Sequence, residues 1–183
     1  MSDQEFMRAA LAMARRGLGQ TAPNPSVGCV IVNRGRVVGR GFTAPGGRPH
    51  AEVNALAQAG DAARGGVAYV TLEPCNFTGK SGPCTEALIQ AGISRVVLGA
   101  QDPHPKVNGA GIARLRAAGI SVTEGVLAAE CEASIAGFAM VQRQGRPLLR
   151  LKLASSLDGR IATAKGESKW ITGEPCLLYT SDA

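Results

Sequence analysis

The sequence runs to 183 residues, 45% of them hydrophobic and 19% charged, with a formal net charge of +6, which is chain enough for one sizeable core and the beginning of a second. Aromatic residues are scarce at 4%, which argues against a stacking platform for nucleic acid, and the basic residues (Arg15, Arg34, Arg48, Lys80, Arg95, Arg114, Arg150) are scattered, as on a solvated surface that could also hold a phosphate-bearing small substrate. The acidic start Met1-Ser2-Asp3-Gln4-Glu5 has no signal-peptide core, no apolar run approaches the roughly 20 residues of a spanning helix, and the cysteine count of five is odd, so a reduced cytoplasmic protein with no membrane partner is expected.

Ser2-x-x-Glu5 reads as a capping box that opens a helix with Phe6, Ala9, Ala10 and Met13 on one face, ending near Gly17. Thr21-Ala22-Pro23-Asn24-Pro25 follows as a rigid loop, because each proline fixes its own φ and restrains the residue before it. The run Val27–Val32 is a buried strand, turned at Asn33-Arg34-Gly35 into a second strand, Val37–Phe42, to make a hairpin. A helix is expected from about His50 to Ala59, stopped by Gly60, then a strand over Val67–Leu72 that ends at Glu73-Pro74-Cys75. Helix Cys84–Ala91, strand Arg95–Gly99, helix Gly109–Ala118, strand Ile120–Thr123 and helix Leu127–Val141 complete the series. Strands alternating with helices after an opening hairpin predict a mixed sheet packed between helices. Gln142–Pro147 reads as a linker, and Leu148–Leu153 as the first strand of a second domain with too few residues left to fold.

The chemistry is carried by Pro49-His50-Ala51-Glu52, Glu73-Pro74-Cys75 and Pro83-Cys84. One imidazole and two thiols suit tetrahedral zinc, and three protein ligands leave the fourth position for water. His50 and Cys84 are expected at helix starts, where free N–H groups favour a thiolate, and Cys75 just beyond a strand, so that all converge at the carboxyl edge of the sheet. Zinc lowers the pKa of water toward neutrality, and Glu52, two residues from His50, is placed to shuttle protons, the apparatus of hydrolytic deamination of an amidine-like ring carbon. A structural zinc site would need a fourth protein ligand; Cys29, Cys131, Cys176 and His104 are the candidates, and none has ligand-like spacing.

These motifs resemble the deaminase domain of the bifunctional riboflavin-biosynthesis deaminase-reductase, a branch of the cytidine-deaminase-like superfamily. Further stretches carry the likeness: Asn24-Pro25-x-Val27-Gly28-Cys29, Tyr69–Cys75, Gln101-Asp102-Pro103-His104-Pro105 and Gly109-x-Gly111. Eight residues separate Cys75 from Cys84, whereas cytidine and nucleic-acid-editing deaminases typically carry P-C-x-x-C. The resemblance implies a three-layer α/β/α cytidine-deaminase-like mixed sheet over residues 1–145. Residues 146–183 would be the truncated start of a dihydrofolate-reductase-like domain with an atypical tail. It implies zinc-dependent removal of an exocyclic amine from a diaminopyrimidinone carrying a ribosylamino 5′-phosphate, with Glu52 catalytic and His50, Cys75 and Cys84 on the metal. Asn24, Thr43, Asn76, Lys80, Asp102 and His104 fall at substrate-contacting positions, with Lys80 offering its charge to the phosphate. In the reductase-like stretch, Ser168 matches a substrate position, and Ala154 and Trp170 match cofactor positions; NADPH would bind only with a complete reductase domain. The chain departs from the family at Asn76-Phe77-Thr78-Gly79, where S-H-H-G or S-H-Y-G is common, at Thr43 in place of His and at His104 in place of Asn. Relatives assemble, which leaves a homo-oligomer open. Two other readings stand beside this one: a deaminase of another base, nucleoside or nucleic acid, and a zinc-stabilised binding module.

Overall fold

The computed structural model describes residues 2–79, 82–105 and 107–168, and the chain divides into two compact units, Met1–Leu148 and Leu149–Ala183. The first unit carries strands β1 (Gly28–Asn33), β2 (Arg36–Phe42), β3 (Val67–Leu72), β4 (Arg95–Ala100) and β5 (Ser121–Thr123). Its helices are α1 (Asp3–Arg15), α2 (Ala51–Ala59), α3 (Cys84–Gln90), α4 (Ala110–Ala117), α5 (Ala128–Ser134) and α6 (Ala136–Gln144).

Helix α1 opens on the expected capping box: Ser2 Oγ accepts from Glu5 N at 3.3 Å while the Glu5 carboxylate accepts from Ser2 N. The hairpin β1–β2 turns through Arg34 (φ 49°) and Gly35 (φ 75°), two successive left-handed residues whose twist matches that of the strands they join. Sheet order is β2-β1-β3-β4-β5, with β1 antiparallel to both neighbours and β3, β4 and β5 parallel. The central runs Val30-Ile31-Val32, Ala68-Tyr69-Val70 and Val96-Val97-Leu98 are buried throughout, as strands covered on both faces must be.

Helices cover the two faces. A Cβ at Gly28 would fall 1.9 Å from Ala10 O of α1, so α1 lies directly on β1; on the opposite face, a Cβ at Gly41 or Gly39 would fall 2.2 Å from Ala51 O or Ala55 O of α2. Helix α5 packs on β4 and meets α1, whereas α2 meets α3 and α3 meets α4. The result is the three-layer arrangement of a mixed sheet between helices.

Two expectations fail. The helix read over Leu127–Val141 is two helices, because Ile135 (φ −112°, ψ 15°) leaves helical geometry between α5 and α6; Ile135 and Cys131 are both buried. The strand read over Leu148–Leu153 does not form: Leu149, Leu151 and Leu153 are 85%, 82% and 69% exposed, and a strand without a ladder partner leaves its backbone groups to water. From Leu149 to Ser168 the second unit shows turns and bends but no helix or strand, and every residue in that stretch except the half-buried Ala162 is exposed.

Candidate metal centre and active site

Three element ends meet at one point. The chain leaves the 3-10 turn Pro45–Gly47 extended, and His50 is the N-cap of α2 with φ −70° and ψ 161°. That geometry lets His50 and Glu52, in the helix's first turn, address a common centre. Past the end of β3, Glu73 N still donates to Ala100 O at 2.9 Å, which carries Cys75 to the carboxyl edge of the parallel strands. Cys84 opens α3 directly after Pro83, and its N–H points at Cys75 Sγ, 3.4 Å away.

His50 Nδ1 lies 3.3 Å from Cys84 Sγ and 3.6 Å from Cys75 Sγ, and all three donor atoms fall within 4.8 Å of one another. Zinc–sulfur and zinc–nitrogen bonds of about 2.3 and 2.0 Å at a tetrahedral angle set the N···S edge at about 3.5 Å. The donor set therefore fits zinc in both chemistry and spacing. No fourth Cys, His or carboxylate joins the group among the described residues: Cys29 and Cys131 are buried elsewhere, and Cys176 lies outside the described residues. An open coordination position is what a catalytic site requires and a structural one lacks.

The charges in the cluster depend on one another. Cys75 is lowered to about 4, first by its hydrogen bond with Cys84 and then by that with His50. Cys84 is driven up by the same hydrogen bond and by burial. One thiolate is thus shared between two sulfurs, and a divalent cation among them relieves the cost of forming the second. His50 is raised, chiefly by its bond to Cys75. Glu52, 4% exposed, is raised to about 7 by burial and then by the Cys75 charge.

A cavity of about 140 Å³ opens over the cluster, and the sequence-predicted residues Asn24, Thr43, His50, Glu52, Cys75, Asp102 and His104 all line it. Asn24 donates to Gly47 O at 2.8 Å, and its amide stands 3.5 Å from His50 Nε2, on the far side of the ring from the thiols. Thr43 is buried and accepts from Val27 N through Oγ1. Asp102, raised by burial, accepts from His104 N at 2.8 Å. Asn76 is not part of this lining; it accepts from Thr85 Oγ1 at 3.0 Å and reaches toward Ala110 O, joining the loop to α3 and α4. Lys80 and Trp170 lie outside the described residues, while Ala154 and Ser168 are exposed residues of the second unit.

Sequence reasoning missed several members of the site. Phe77 stacks on His104 with ring centroids 6.0 Å apart and planes 21° apart, so two of the departures from the family pattern meet each other. Arg48 lines the cavity next to the metal motif, and Phe138 reaches it from α6 with no local signal at all. Glu73 is the largest omission. Its buried carboxylate accepts four backbone N–H groups, from Asp102 (3.3 Å), Gly109 (2.9 Å), Gly111 (2.9 Å) and Ile112 (3.2 Å). That one side chain ties the Asp102–His104 loop and the start of α4 to the Cys75 turn. Gly111 has to lack a side chain, since its Cβ would fall 2.2 Å from Pro74 O. An acid between a strand and a proline, followed by Gly109-x-Gly111, was the available signal.

Comparison with known proteins bears on both units. Residues 1–100 match the family described as the cytidine and deoxycytidylate deaminase zinc-binding region, and residues 147–182 match the RibD C-terminal domain. The chain is 52% identical over 172 residues to the riboflavin biosynthesis protein RibD of Escherichia coli, an alignment covering 94% of this chain and 47% of that protein. It is 46% identical over 167 residues to the chloroplastic riboflavin biosynthesis protein PYRD of Arabidopsis thaliana, covering 91% of this chain and 39% of that one. Among solved structures, a diaminohydroxyphosphoribosylaminopyrimidine deaminase/5-amino-6-(5-phosphoribosylamino)uracil reductase from Thermotoga maritima superposes with a TM-score of 0.92 at 42% identity, over 98% of this chain and 52% of that one. RibD of Acinetobacter baumannii gives 0.85 at 50% identity, over 95% and 49%. The chain spans about half the length of the relatives it matches.

Proposed function

We propose that this chain, which belongs to the cytidine and deoxycytidylate deaminase family through its zinc-binding region, hydrolytically deaminates 2,5-diamino-6-ribosylamino-4(3H)-pyrimidinone 5′-phosphate in riboflavin biosynthesis. The observation that carries the reading is the convergence of His50 Nδ1, Cys75 Sγ and Cys84 Sγ within 4.8 Å, with the buried Glu52 facing the same cavity. The likeness to the Thermotoga maritima deaminase/reductase supports the choice of substrate.

His50, Cys75 and Cys84 would hold zinc, which when bound makes water acidic enough to act as nucleophile near neutral pH. Glu52 would take one proton from the attacking water and pass it to the ring nitrogen, then take the second from the newly added hydroxyl and pass it to the exocyclic amine, which leaves as ammonia as the C–N bond breaks and the carbonyl forms. Asn24, Thr43, Asp102 and His104 offer the polar contacts that orient the ring, and the stacked Phe77–His104 pair offers a flat wall for it. Lys80 keeps its assignment to the phosphate, and Asn76 acts from behind the loop by holding it on α3 and α4.

In domain terms, residues 1–145 form the deaminase and residues 146–183 belong to the reductase-like part, with Ser168 a substrate position and Ala154 and Trp170 cofactor positions of that part. The proposal for this chain concerns deamination; between Leu149 and Ser168 no helix or strand forms. The free cysteines among the described residues fit a reducing compartment such as the cytoplasm. No described helix is long and apolar enough to cross a membrane.

The test couples metal analysis to ammonia release from the diaminopyrimidinone ribosylamino phosphate, with cytidine and guanine as competitors. Glu52→Gln should retain zinc and lose turnover. Unchanged hydrolysis by a zinc-loaded Glu52→Gln protein, or faster release from cytidine or guanine, overturns the assignment.

A further inference from the structure

The cavity over the metal cluster is rich in acids: Glu52, Glu73 and Asp102 all line it. Among its described lining residues Arg48 is the only lysine or arginine. Arg48 is half-buried two positions before His50, on the segment that enters α2. Its guanidinium reaches across to the loop that follows Cys75: Nη2 stands 3.1 Å from the place a Cβ at Gly79 would occupy. Gly79 therefore leaves the space that the guanidinium fills. Lys80, which the family resemblance assigns to the phosphate, follows Gly79 in the sequence. Elsewhere in the lining, the neutral groups Asn24 and Thr43 and the Asp102–His104 turn match a planar heterocycle carrying amine and carbonyl groups. A planar cation with two parallel N–H donors matches the oxygens of a phosphate monoester instead.

We propose that Arg48 binds the phosphate of the substrate and so sets a preference for phosphorylated over unphosphorylated aminopyrimidines. This specificity role rests on the deaminase reading given above.

The experiment measures ammonia release by the zinc-loaded full chain from the ribosylamino pyrimidinone 5′-phosphate and from its dephosphorylated counterpart. The readout is the ratio of the two kcat/KM values, so a loss shared by both substrates cancels. Arg48→Ala should lower that ratio about 10- to 100-fold, the range for removing a charge-assisted hydrogen-bonded contact, and mainly through KM for the phosphorylated substrate. Arg48→Lys keeps the charge without the fork and should recover part of the ratio. Gly79→Val fills the space taken by the guanidinium and should lower the ratio from the other side of the contact, which keeps the test open should Arg48→Ala fail to fold. Added salt should erode the preference of the wild type more than that of Arg48→Ala. A ratio unchanged in Arg48→Ala or in Gly79→Val at full zinc content overturns the assignment. Absence of ammonia from both compounds with the wild type overturns the deaminase reading itself, a failure distinct from an unchanged ratio.

Discussion

Replacing Glu73 should damage stability and metal binding together, and even the isosteric Gln should be costly, which shape alone would not give. The carboxylate is 3% exposed and receives N–H groups from Asp102, Gly109, Gly111 and Ile112. Hydrogen bonds to a charged group contribute about 1.5–3 kcal/mol each, and a buried donor left unpaired costs about 1–3 kcal/mol. In Glu73→Ala all four donors lose their acceptor. Two of them, Gly111 and Ile112, are buried in the first turn of α4, but Glu73 lines the cavity, from which water can enter the space vacated, so the simple sum overstates the loss and about 4 kcal/mol is expected. Glu73→Gln keeps one oxygen for one pair of donors but turns an NH2 group against the other pair. Two hydrogen bonds become donor–donor contacts, at about 2–3 kcal/mol. Urea unfolding of the metal-free proteins is the assay. With a slope of about 2 kcal/mol per molar, the midpoints should fall by about 2 M for Ala and about 1 M for Gln. Cys75 lies two residues from this anchor, so zinc affinity should fall about 10- to 100-fold in both. A Gln variant within about 0.2 M of wild type, with unchanged zinc affinity, would refute the idea that this carboxylate holds the loop and the metal turn in place.

Glu52 should show the opposite sign in stability. Its folded carboxyl stands at about 7 against an ordinary 4.5, so between those values the metal-free folded protein binds the extra proton and stability falls as pH rises. At about 1.4 kcal/mol per unit the full penalty is about 3 kcal/mol, complete above pH 7 and absent below about 4.5. Metal-free Glu52→Gln should therefore unfold at higher urea than wild type at pH 8 and at the same urea near pH 4.5, and an equal difference at both pH values contradicts the burial argument. Gly28→Ala tests the close approach of α1 to β1, where a Cβ would fall 1.9 Å from Ala10 O and 2.7 Å from Ala14 N. Because both neighbours are backbone, the helix itself has to move, at about 3 kcal/mol, seen as a drop in Tm of about 6–12 °C; a change below about 2 °C would mean that α1 shifts freely.

Sequence alone reached what is local and periodic. The β-branched runs of β1, β3 and β4 declared themselves because strands covered on both faces have to be apolar throughout, and the Ser2–Glu5 capping box is a four-residue pattern that forms as read. The metal cluster was legible because two of its ligands sit at helix starts that glycine and proline mark, and the third just past a strand end. What escaped depends on distant partners. The turn at Ile135 has no breaker residue and follows from how α5 and α6 bury their apolar sides. Phe138 is an ordinary helix residue until its helix lies along the cavity, and the acceptor role of Glu73 exists only once Gly109 and Gly111 have been folded back against it. Leu149, Leu151 and Leu153 show the converse, for strand-like alternation forms no strand where no neighbour supplies a ladder.

The electrostatics of the site explain why a residue that destabilises the empty protein belongs there. Glu52 is buried in the first turn of α2, whose N-terminal N–H groups favour a negative charge, yet burial and the nearby Cys75 thiolate outweigh that help and keep it protonated up to about 7. The same thiolate keeps Cys84 a thiol, so without a cation the cluster forms fewer negative charges than its residues can carry. A divalent ion reverses both restraints, since it favours two thiolates and a carboxylate at once. Binding zinc should accordingly release protons, and the Glu52 carboxylate should become available as a base when the metal is in place. Proton release measured on adding zinc at pH 6.5, in unbuffered solution, should therefore be smaller for Glu52→Gln than for the wild type. Equal release from both would mean that Glu52 is already ionised in the metal-free protein, and that burial does not tune it.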